Sequence, residues 1–446
     1  MPRYKVPFKD LPKISVIIPL YMEPDNVVDG MVKSLKNMIY PLDKFEIIVV
    51  DDSNPKAMMK NYELFRTLNH NRVKIRHFWR SERTGYRGGA LNFALYNSSS
   101  DYIVVLDIDH WPLPCMLYRL ASAAMHSDND VIMFPQVFRN WNKNSITLAS
   151  YIGYRYDYSF SRKGKTVTNS AFCVGTNWIG HRRKIVESGG FYDKSIVEDM
   201  ATGMLKWHTN GIKIGMIDDI LAYGLNPETI SAFKKQQYRW SKGAFELFPK
   251  LISNINKYSV MQFFDYFFNI AWYLVGLTLI LSCLFPLFSI LGVDFLAVDS
   301  LIGYFINVVV YTLLQVLLYA TPLIIVGEPA KRVFKGQAIG IVIAGTYFKA
   351  LIDTVLGFKI PFIITPKGKK RTGFFALLRE AWLPMFLLYL NVLVGLIAAA
   401  NLNVRNIITA FWAMYNSSWL VTAMYALAKD IYRSNNYGKK IISLLM

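Results

Sequence analysis

Apolar positions change character along the chain near residue 265. Before that point, short β-branched runs alternate with stretches of helical spacing. Residues 14–19 (ISVIIP), 45–50 (FEIIVV), 73–78 and 101–106 (DYIVVL) predict strands. Helical spacing over 26–38 and a glycine-rich turn leading into 85–96 predict helices between them. Strands alternating with helices imply a mostly parallel, Rossmann-like α/β sheet, which binds ligands at the carboxyl ends of its strands. After residue 265 the pattern becomes long uncharged runs, at 266–293, 300–327, 381–404 and 406–428. A membrane helix needs about 20 apolar residues, so each is long enough. The expected spans are about 266–291, 301–326, 383–403 and 406–428. A fifth stretch, 336–358, contains Lys349 and Asp353 and predicts a helix lying in the membrane interface. The expected organisation is a cytosolic α/β domain over 1–260 and an α-helical membrane domain over 261–446.

Charge gives the orientation. The loop 292–300 holds no Lys or Arg, whereas the segment between the second and third spans carries ten, from Lys331 to Arg379. The tail adds Lys429, Arg433, Lys439 and Lys440. By the positive-inside bias these segments and the N-terminal domain share the cytosolic face of the cell membrane. The whole chain has 50 Lys+Arg against 31 Asp+Glu, a net charge of +19. That excess suits membrane lipids and an anionic substrate; no recognisable nucleic-acid module accompanies it, so nucleic acid is not an expected partner. Cys115, Cys173 and Cys283 are far apart, with neither a disulfide framework nor a zinc spacing. The first thirteen residues have no apolar core of a secretory signal.

Acidic residues cluster where the predicted strands end. Asp51 and Asp52 follow one strand; Asp107 and Asp109, in DIDH, follow another. On an extended segment the side chains at i and i+2 share a face, so Asp107 and Asp109 could aim at one Mg2+ or Mn2+ ion, with phosphate oxygens completing its shell. Glu198 and Asp199 lie among apolar residues in VED, and Gln236, Arg239 and Trp240 form QxxRW, whose spacing puts an amide, a guanidinium and an indole together on a helix.

The ordered set is more specific than any member: PLYMEP (19–24), VVDDS (49–53), RGGALNFAL (87–95), DIDH (107–110), VED (197–199) and QQYRW (236–240), then membrane spans. It resembles the family 2 glycosyltransferases with a GT-A fold, in the membrane-integrated branch of cellulose, chitin and hyaluronan synthases. The likeness covers residues 13–250 and continues in FIITPKG (362–368), which is similar to the gating loop of that branch. The resemblance implies donor-binding roles for Glu23, Asp51, Asp52, Arg87, Asp107, Gln236, Arg239, Thr365 and Lys367. It implies metal binding by Asp107 and Asp109, acceptor contacts from Trp240 and from Cys173, Gly175 and Thr176 in CVGTN, and a catalytic base at Asp199 with Glu198 beside it. Three positions depart from the pattern: Val197 replaces a Thr, Met22 an Asn, and Arg87 a Lys. With no N-terminal spans and no C-terminal regulatory domain in view, a lean synthase is expected.

The implied activity is inverting transfer from a nucleotide sugar, a UDP-sugar foremost, onto a growing β-linked glycan that leaves through the membrane. Two other readings stay open. One is a non-processive transferase acting on a lipid-linked acceptor, which product size would separate. The other is a nucleotide-regulated transporter, for which the four runs offer no intramembrane ionisable residue.

Overall fold

The computed structural model describes residues 5–68, 73–293, 300–358, 374–401 and 403–445. These hold ten strands: β1 (Ile14–Leu20), β2 (Phe45–Asp51), β3 (Lys74–Trp79), β4 (Tyr102–Val105), β5 (Trp111–Pro112), β6 (Val131–Met133), β7 (Val137–Phe138), β8 (Trp178–His181), β9 (Ile214–Met216) and β10 (Ala222–Gly224). Seven form one sheet in the order β3-β2-β1-β4-β8-β6-β9, and three form a small sheet, β5-β10-β7. The first four strands of the large sheet pair in parallel, and β8 runs antiparallel between β4 and β6.

Burial explains the run composition. Every residue of β2 is buried, as a strand covered by helices on both faces requires. Pro19 lies beyond the last β1–β4 pair, Ile17↔Val105, so its missing N–H removes no bond to β4. Two apolar cores flank the sheet. One packs Met31, Leu35 and Leu120 against Val16 and Val104; the other packs Leu91, Trp178 and Trp207 against Ile17 and Val105. All four expected strands form, within a residue of the expected ends.

Among the described residues three helices are long and apolar enough to cross a membrane: Val260–Ile290, Leu301–Ile325 and Trp382–Ala399. The first starts earlier than the uncharged run suggested, at a capping box between Ser259 and Gln262. Its first turns dock on the α/β domain. Gln262 Nε2 donates to the Asn169 carbonyl (2.8 Å), Asp265 accepts from the Ser170 hydroxyl, and the Tyr266 hydroxyl lies 2.8 Å from His208 Nδ1.

Two expectations change. The single helix expected over 336–358 is a pair, Ala330–Ile341 and Ala344–Val355, bent by 41°, and taken together the pair is a further candidate span. Residues 406–428 lie inside one long helix, Val404–Leu445, which is not among the helices apolar enough to qualify; Asn416, Ser417 and Ser418 dilute it. Asn416 is nevertheless buried, donating to the Ser282 carbonyl (2.8 Å), while Asn391 donates to the Cys283 carbonyl (3.0 Å). These bonds tie three helices together where water is scarce. The stretch 362–368, with Thr365 and Lys367, lies outside the described residues.

Candidate active site

The carboxyl ends of β1, β2 and β4 gather the acidic motifs, with unequal outcomes. At the end of β2, Asp51 is fully buried. Its Oδ1 accepts from the Ser53 N–H (2.8 Å), its Oδ2 from Asn61 Nδ2 (2.8 Å), and His77 Nε2 lies 3.4 Å away. Burial by itself raises the Asp51 carboxyl, but the bonds from His77, Ser53 and Asn61 outweigh it and leave the group below the usual carboxylate range. Asp52 is clamped by Arg80, whose Nε and Nη2 reach its two oxygens at 2.7 and 2.6 Å, with Arg83 3.7 Å off. Asp51 is thus held at the strand end by these neighbours, and Asp52 stands beside it in an ion pair. Glu23 occupies the half-exposed loop before helix Asp25–Lys36.

After β4 the backbone does not stay extended. The chain turns at Ile108 and Asp109, and the His110 N–H bonds the Asp107 carbonyl at 2.9 Å. The shared-face argument for the two carboxylates therefore fails, because ladder pairing with β8 stops at Val105 and leaves the next residues free to turn. Asp107 is directed to Arg87, which donates to Oδ1 from Nε (3.1 Å) and Nη2 (2.8 Å), and its side chain stays about a third exposed, 35%. Asp109 is buried, and Arg139 approaches it from the small sheet, donating from Nη1 to the Asp109 carbonyl at 2.8 Å while stacking on Trp111 at 3.4 Å. Burial pushes the Arg139 guanidinium down to about 10, against the pull of Asp109.

Arg87 is the hub. It stands in the first turn of helix Tyr86–Asn97, and its guanidinium also donates to Glu198 Oε1 (2.6 Å) and to the Gly175 carbonyl. Gly175 faces both ways: its N–H donates to Asp199 Oδ2 at 3.0 Å, and a Cβ there would sit 3.0 Å from Arg87 Nη1. Thr176 Oγ1 accepts from the Asp107 N–H at 2.8 Å. The loop carrying these residues is anchored upstream by Arg162, which donates to the Phe172 carbonyl (2.6 Å) and pairs with Asp157 (2.7 Å), beside buried Cys173. Asp199 is held by two backbone donors, Gly175 N–H and its neighbour Met200 N–H (2.8 Å). Glu198 is enclosed; desolvation raises its carboxyl, Arg87 pulls it back, Asp199 pushes it up again, and the net direction is upward.

The QxxRW motif lies on helix Ile230–Ser253, capped by Thr229. Burial lowers the Arg239 guanidinium, while the charges of Glu198, Asp199 and Asp107 all draw it back up, so it stands within electrostatic reach of all three carboxylates. Gly243 lets this helix meet the VED turn: a Cβ at that position would lie 2.6 Å from Val197 Cγ2. Val197 thus fills an apolar contact at this crossing, a use for the valine that the resemblance left unexplained. Trp240 meets Tyr154 edge to face at 6.5 Å; Tyr154 in turn lies 4.7 Å from Phe138, whose ring is 5.9 Å from His110. An aromatic row thus links the Asp107 turn to Trp240. Gln236 Oε1 is buried, with no hydrogen-bond partner among the described residues.

The structure brings Arg87, Asp107, Gly175, Thr176, Glu198, Asp199 and Arg239 together and sets Trp240 at one end. Sequence reasoning missed Arg80, Arg139, Arg162 and Tyr154. None has a fixed spacing from a motif, so no sequence signal pointed to them; the helix carrying Tyr154 passes into a π-helical turn, Asp157–Ser161, that the sequence does not announce. Among the described residues no three His, Cys, Asp or Glu side chains are placed to hold a metal ion together. Asp107 and Asp109 are hard oxygen donors of the kind that hold Mg2+ or Mn2+ weakly until phosphate oxygens complete the shell.

Residues 15–189 match the model of glycosyl transferase family 2. Probable glucomannan 4-beta-mannosyltransferase 7 of Oryza sativa subsp. japonica is 28% identical over 252 residues, covering 55% of this chain and 43% of that protein. Glucomannan 4-beta-mannosyltransferase 2 of Arabidopsis thaliana is 28% identical over 260 residues, covering 57% of this chain and 48% of that one. The chain thus spans less than half the length of these two relatives. In fold it is similar to the mannosyltransferase PcManGT from Pyrobaculum calidifontis, solved in complex with GDP-Man and Mn2+, with a TM-score of 0.56 at 15% identity over 79% of this chain and 89% of that one. The chain therefore carries a glycosyl transferase family 2 domain, joined to a helical region with three to four candidate membrane spans.

Proposed function

We propose that this protein is a membrane-embedded inverting glycosyltransferase that moves a hexose from a nucleotide sugar onto a β-linked glycan. The observation that carries this reading is the Gly175 crossing, where Arg87, paired with Asp107 on the diphosphate side, and Asp199 on the acceptor side bond the carbonyl and the N–H of one residue. Asp199 is the base. Two backbone N–H groups orient its carboxylate, and each oxygen keeps a lone pair for the acceptor hydroxyl proton. Glu198 is tied to Arg87 and acts as a brace. Arg239 offsets charge that develops on the departing diphosphate, and Trp240 offers a flat apolar face to the acceptor sugar. Asp107 and Asp109 would hold a divalent ion, Mn2+ or Mg2+, which supplies further charge compensation to the same diphosphate when bound. Attack from the face opposite the diphosphate turns an α-linked donor into a β-linked product.

The relatives named above are glucomannan 4-beta-mannosyltransferases, and the fold neighbour was solved with GDP-Man. Their names favour a mannosyl donor over the UDP-sugar that the sequence led us to expect. The candidate spans and the basic segments favour a cell-membrane enzyme with its α/β domain in the cytosol and its glycan handed to the membrane helices. The test is full-length protein in nanodiscs incubated with GDP-mannose, UDP-glucose and UDP-N-acetylglucosamine, with Mn2+ or with EDTA. Nucleotide release, product length and anomeric configuration are read together. The expected result is metal-dependent release with one donor and a β-linked product of several sugars. A retained α-configuration or unchanged activity in EDTA contradicts the reading, and a single-sugar product removes the polymerising part of it.

A further inference from the structure

Helix Ile230–Ser253 turns Arg239 towards the carboxylates, and its opposite side is also polar. Lys234, Gln237, Tyr238, Ser241 and Lys242 follow i, i+3, i+4 spacing, and Gln237, Ser241 and Lys242 are buried. A stripe of that kind has to be paired or it costs stability. Ser241 and Lys242 are paired within the helix, to the Gln237 carbonyl (2.8 Å) and to Glu246 (2.9 Å), and the partners of Lys234, Gln237 and Tyr238 come from the membrane-side helices. The Tyr347 hydroxyl donates to Gln237 Oε1 at 2.6 Å, and the Tyr238 hydroxyl donates to Asp353 Oδ2. Lys349 pairs with Asp353 at 2.5 Å, and Lys234 reaches the carbonyl and carboxylate of Glu380.

Helix Ala344–Val355 is shaped for this seam. Its buried residues are Ala344, Tyr347, Ala350 and Asp353, three apart, so small side chains that let the helices close together alternate with the two that carry polar tips. Tyr347 also touches the first span. Its ring lies 5.1 Å from that of Tyr273, and a Cβ on Gly276 would sit 2.5 Å from its own Cβ. One tyrosine therefore joins the QxxRW helix, the bent pair and a membrane span.

An apolar seam tolerates sliding, because one aliphatic contact replaces another. This seam does not: a shift by one residue parts Gln237 from Tyr347 and Asp353 from Tyr238, and leaves buried polar groups without partners. Buried polar pairs of this sort fix register more than they add stability. We propose that Tyr347 and Asp353 are positioning residues that set the rotation and depth of helix Ile230–Ser253, so that the membrane helices dictate where Arg239 and Trp240 stand. This rests on the glycosyltransferase reading of the same site.

The test uses full-length protein in nanodiscs and compares wild type with Tyr347→Phe, Asp353→Asn and the double variant Gln237→Leu with Tyr347→Phe. The readouts are kcat and KM for the donor found active, dissociation constants for GDP and UDP with Mn2+, and the apparent melting temperature. Tyr347→Phe leaves Gln237 buried and unpaired; turnover should fall about tenfold or more, as misplacement of reacting groups by a fraction of an ångström does, while the protein remains folded at the assay temperature. The double variant removes both polar groups, so its melting temperature should recover, because no buried group is left orphaned. Its turnover should stay low, because the register pin is still gone. Turnover that recovers together with melting temperature would overturn the proposal, as would single variants within twofold of wild type. A wild-type protein that binds neither GDP nor UDP with Mn2+ and transfers no sugar would instead overturn the glycosyltransferase reading, and this inference with it.

Discussion

Two acidic strand ends read alike in the sequence and are different objects in the fold. Asp51–Asp52 ends β2; Asp107–Asp109 follows β4. At the first, Ser53, Asn61, His77 and Arg80 occupy the carboxylate oxygens. At the second, Asp107 keeps a third of its side chain in solvent and shares the Arg87 guanidinium with Glu198. Both have partners, but the first set comes from the adjoining helix and from β3 and the residues just after it, whereas the second runs through Arg87 to Glu198 across the site. A carboxylate whose oxygens are filled by the neighbouring strand and helix is held at its strand end; one tied through a shared cation can be re-partnered when a charged ligand arrives. Motif position tells where a ligand binds, and the partner set tells which carboxylate meets it.

The contrast gives an ordered set of expectations. Within this contrast the largest effect should come from Asp107→Ala, which removes the exposed carboxylate. Turnover should fall by about 10²–10³-fold, the usual cost of losing one aimed electrostatic group, with melting temperature close to wild type; steady-state assays at saturating Mn2+ measure this. Arg87→Lys keeps the charge but replaces a planar fork with a point donor that cannot reach Asp107, Glu198 and Gly175 at once. A loss on the order of tenfold is expected, read as kcat without a matching change in donor affinity.

Asp51→Asn should show the reverse signature. Turnover should change by only a few-fold, while stability drops by about 1–3 kcal/mol because Asn61 or Ser53 loses its acceptor. Its acid limb should change as well. A carboxyl held below its ordinary pKa contributes stability that is present above about pH 3.8 and is lost as pH falls through the lower native value. Melting temperature between pH 5 and pH 3 should therefore fall less steeply in the variant. If Asp51→Asn instead abolished nucleotide binding with no loss of stability, the two strand ends would not differ in the way described.

The smallest effect on catalysis, though not on stability, belongs to His208, which burial pushes down to about 4 where the α/β domain meets the first span. A histidine buried neutral contributes stability that is fully present above its free value of 6.5 and is lost as pH falls from there towards 4. The loss should approach about 3 kcal/mol, and His208→Gln should flatten that limb of a melting-temperature profile without altering turnover at pH 7.5.

The sheet was legible where strands are buried on both sides, because continuous apolar runs such as FEIIVV leave little alternative. It was not legible at β5, β7 and β10, which are two or three residues long and stabilised by Arg139 and Trp111 rather than by a pattern of their own. The strand ends that carry acids were visible, but not the turn at Ile108–Asp109, since no glycine or proline marks it. Helix 336–358 was read as one because its break, at Val342–Ile343, is apolar and has no helix-breaking residue. Among site residues, Asp199 and Arg239 were readable because family motifs fix them. Arg139 and Tyr154 were not, since they reach the site across the chain from elements with no sequence tie to it.

The central claim is that Asp199 takes the acceptor proton while Arg87, Asp107 and Arg239 manage the diphosphate. Asp199→Asn tests it most directly, because it preserves size and one acceptor for the Gly175 and Met200 N–H groups but cannot accept a proton. The measurement is turnover with the active donor alongside calorimetric binding of the matching nucleoside diphosphate with Mn2+, in full-length protein in nanodiscs. The account predicts binding within about twofold of wild type and turnover down by 10²–10⁴-fold, the usual cost of losing a general base. Turnover within a few-fold of wild type, with binding intact, would contradict it.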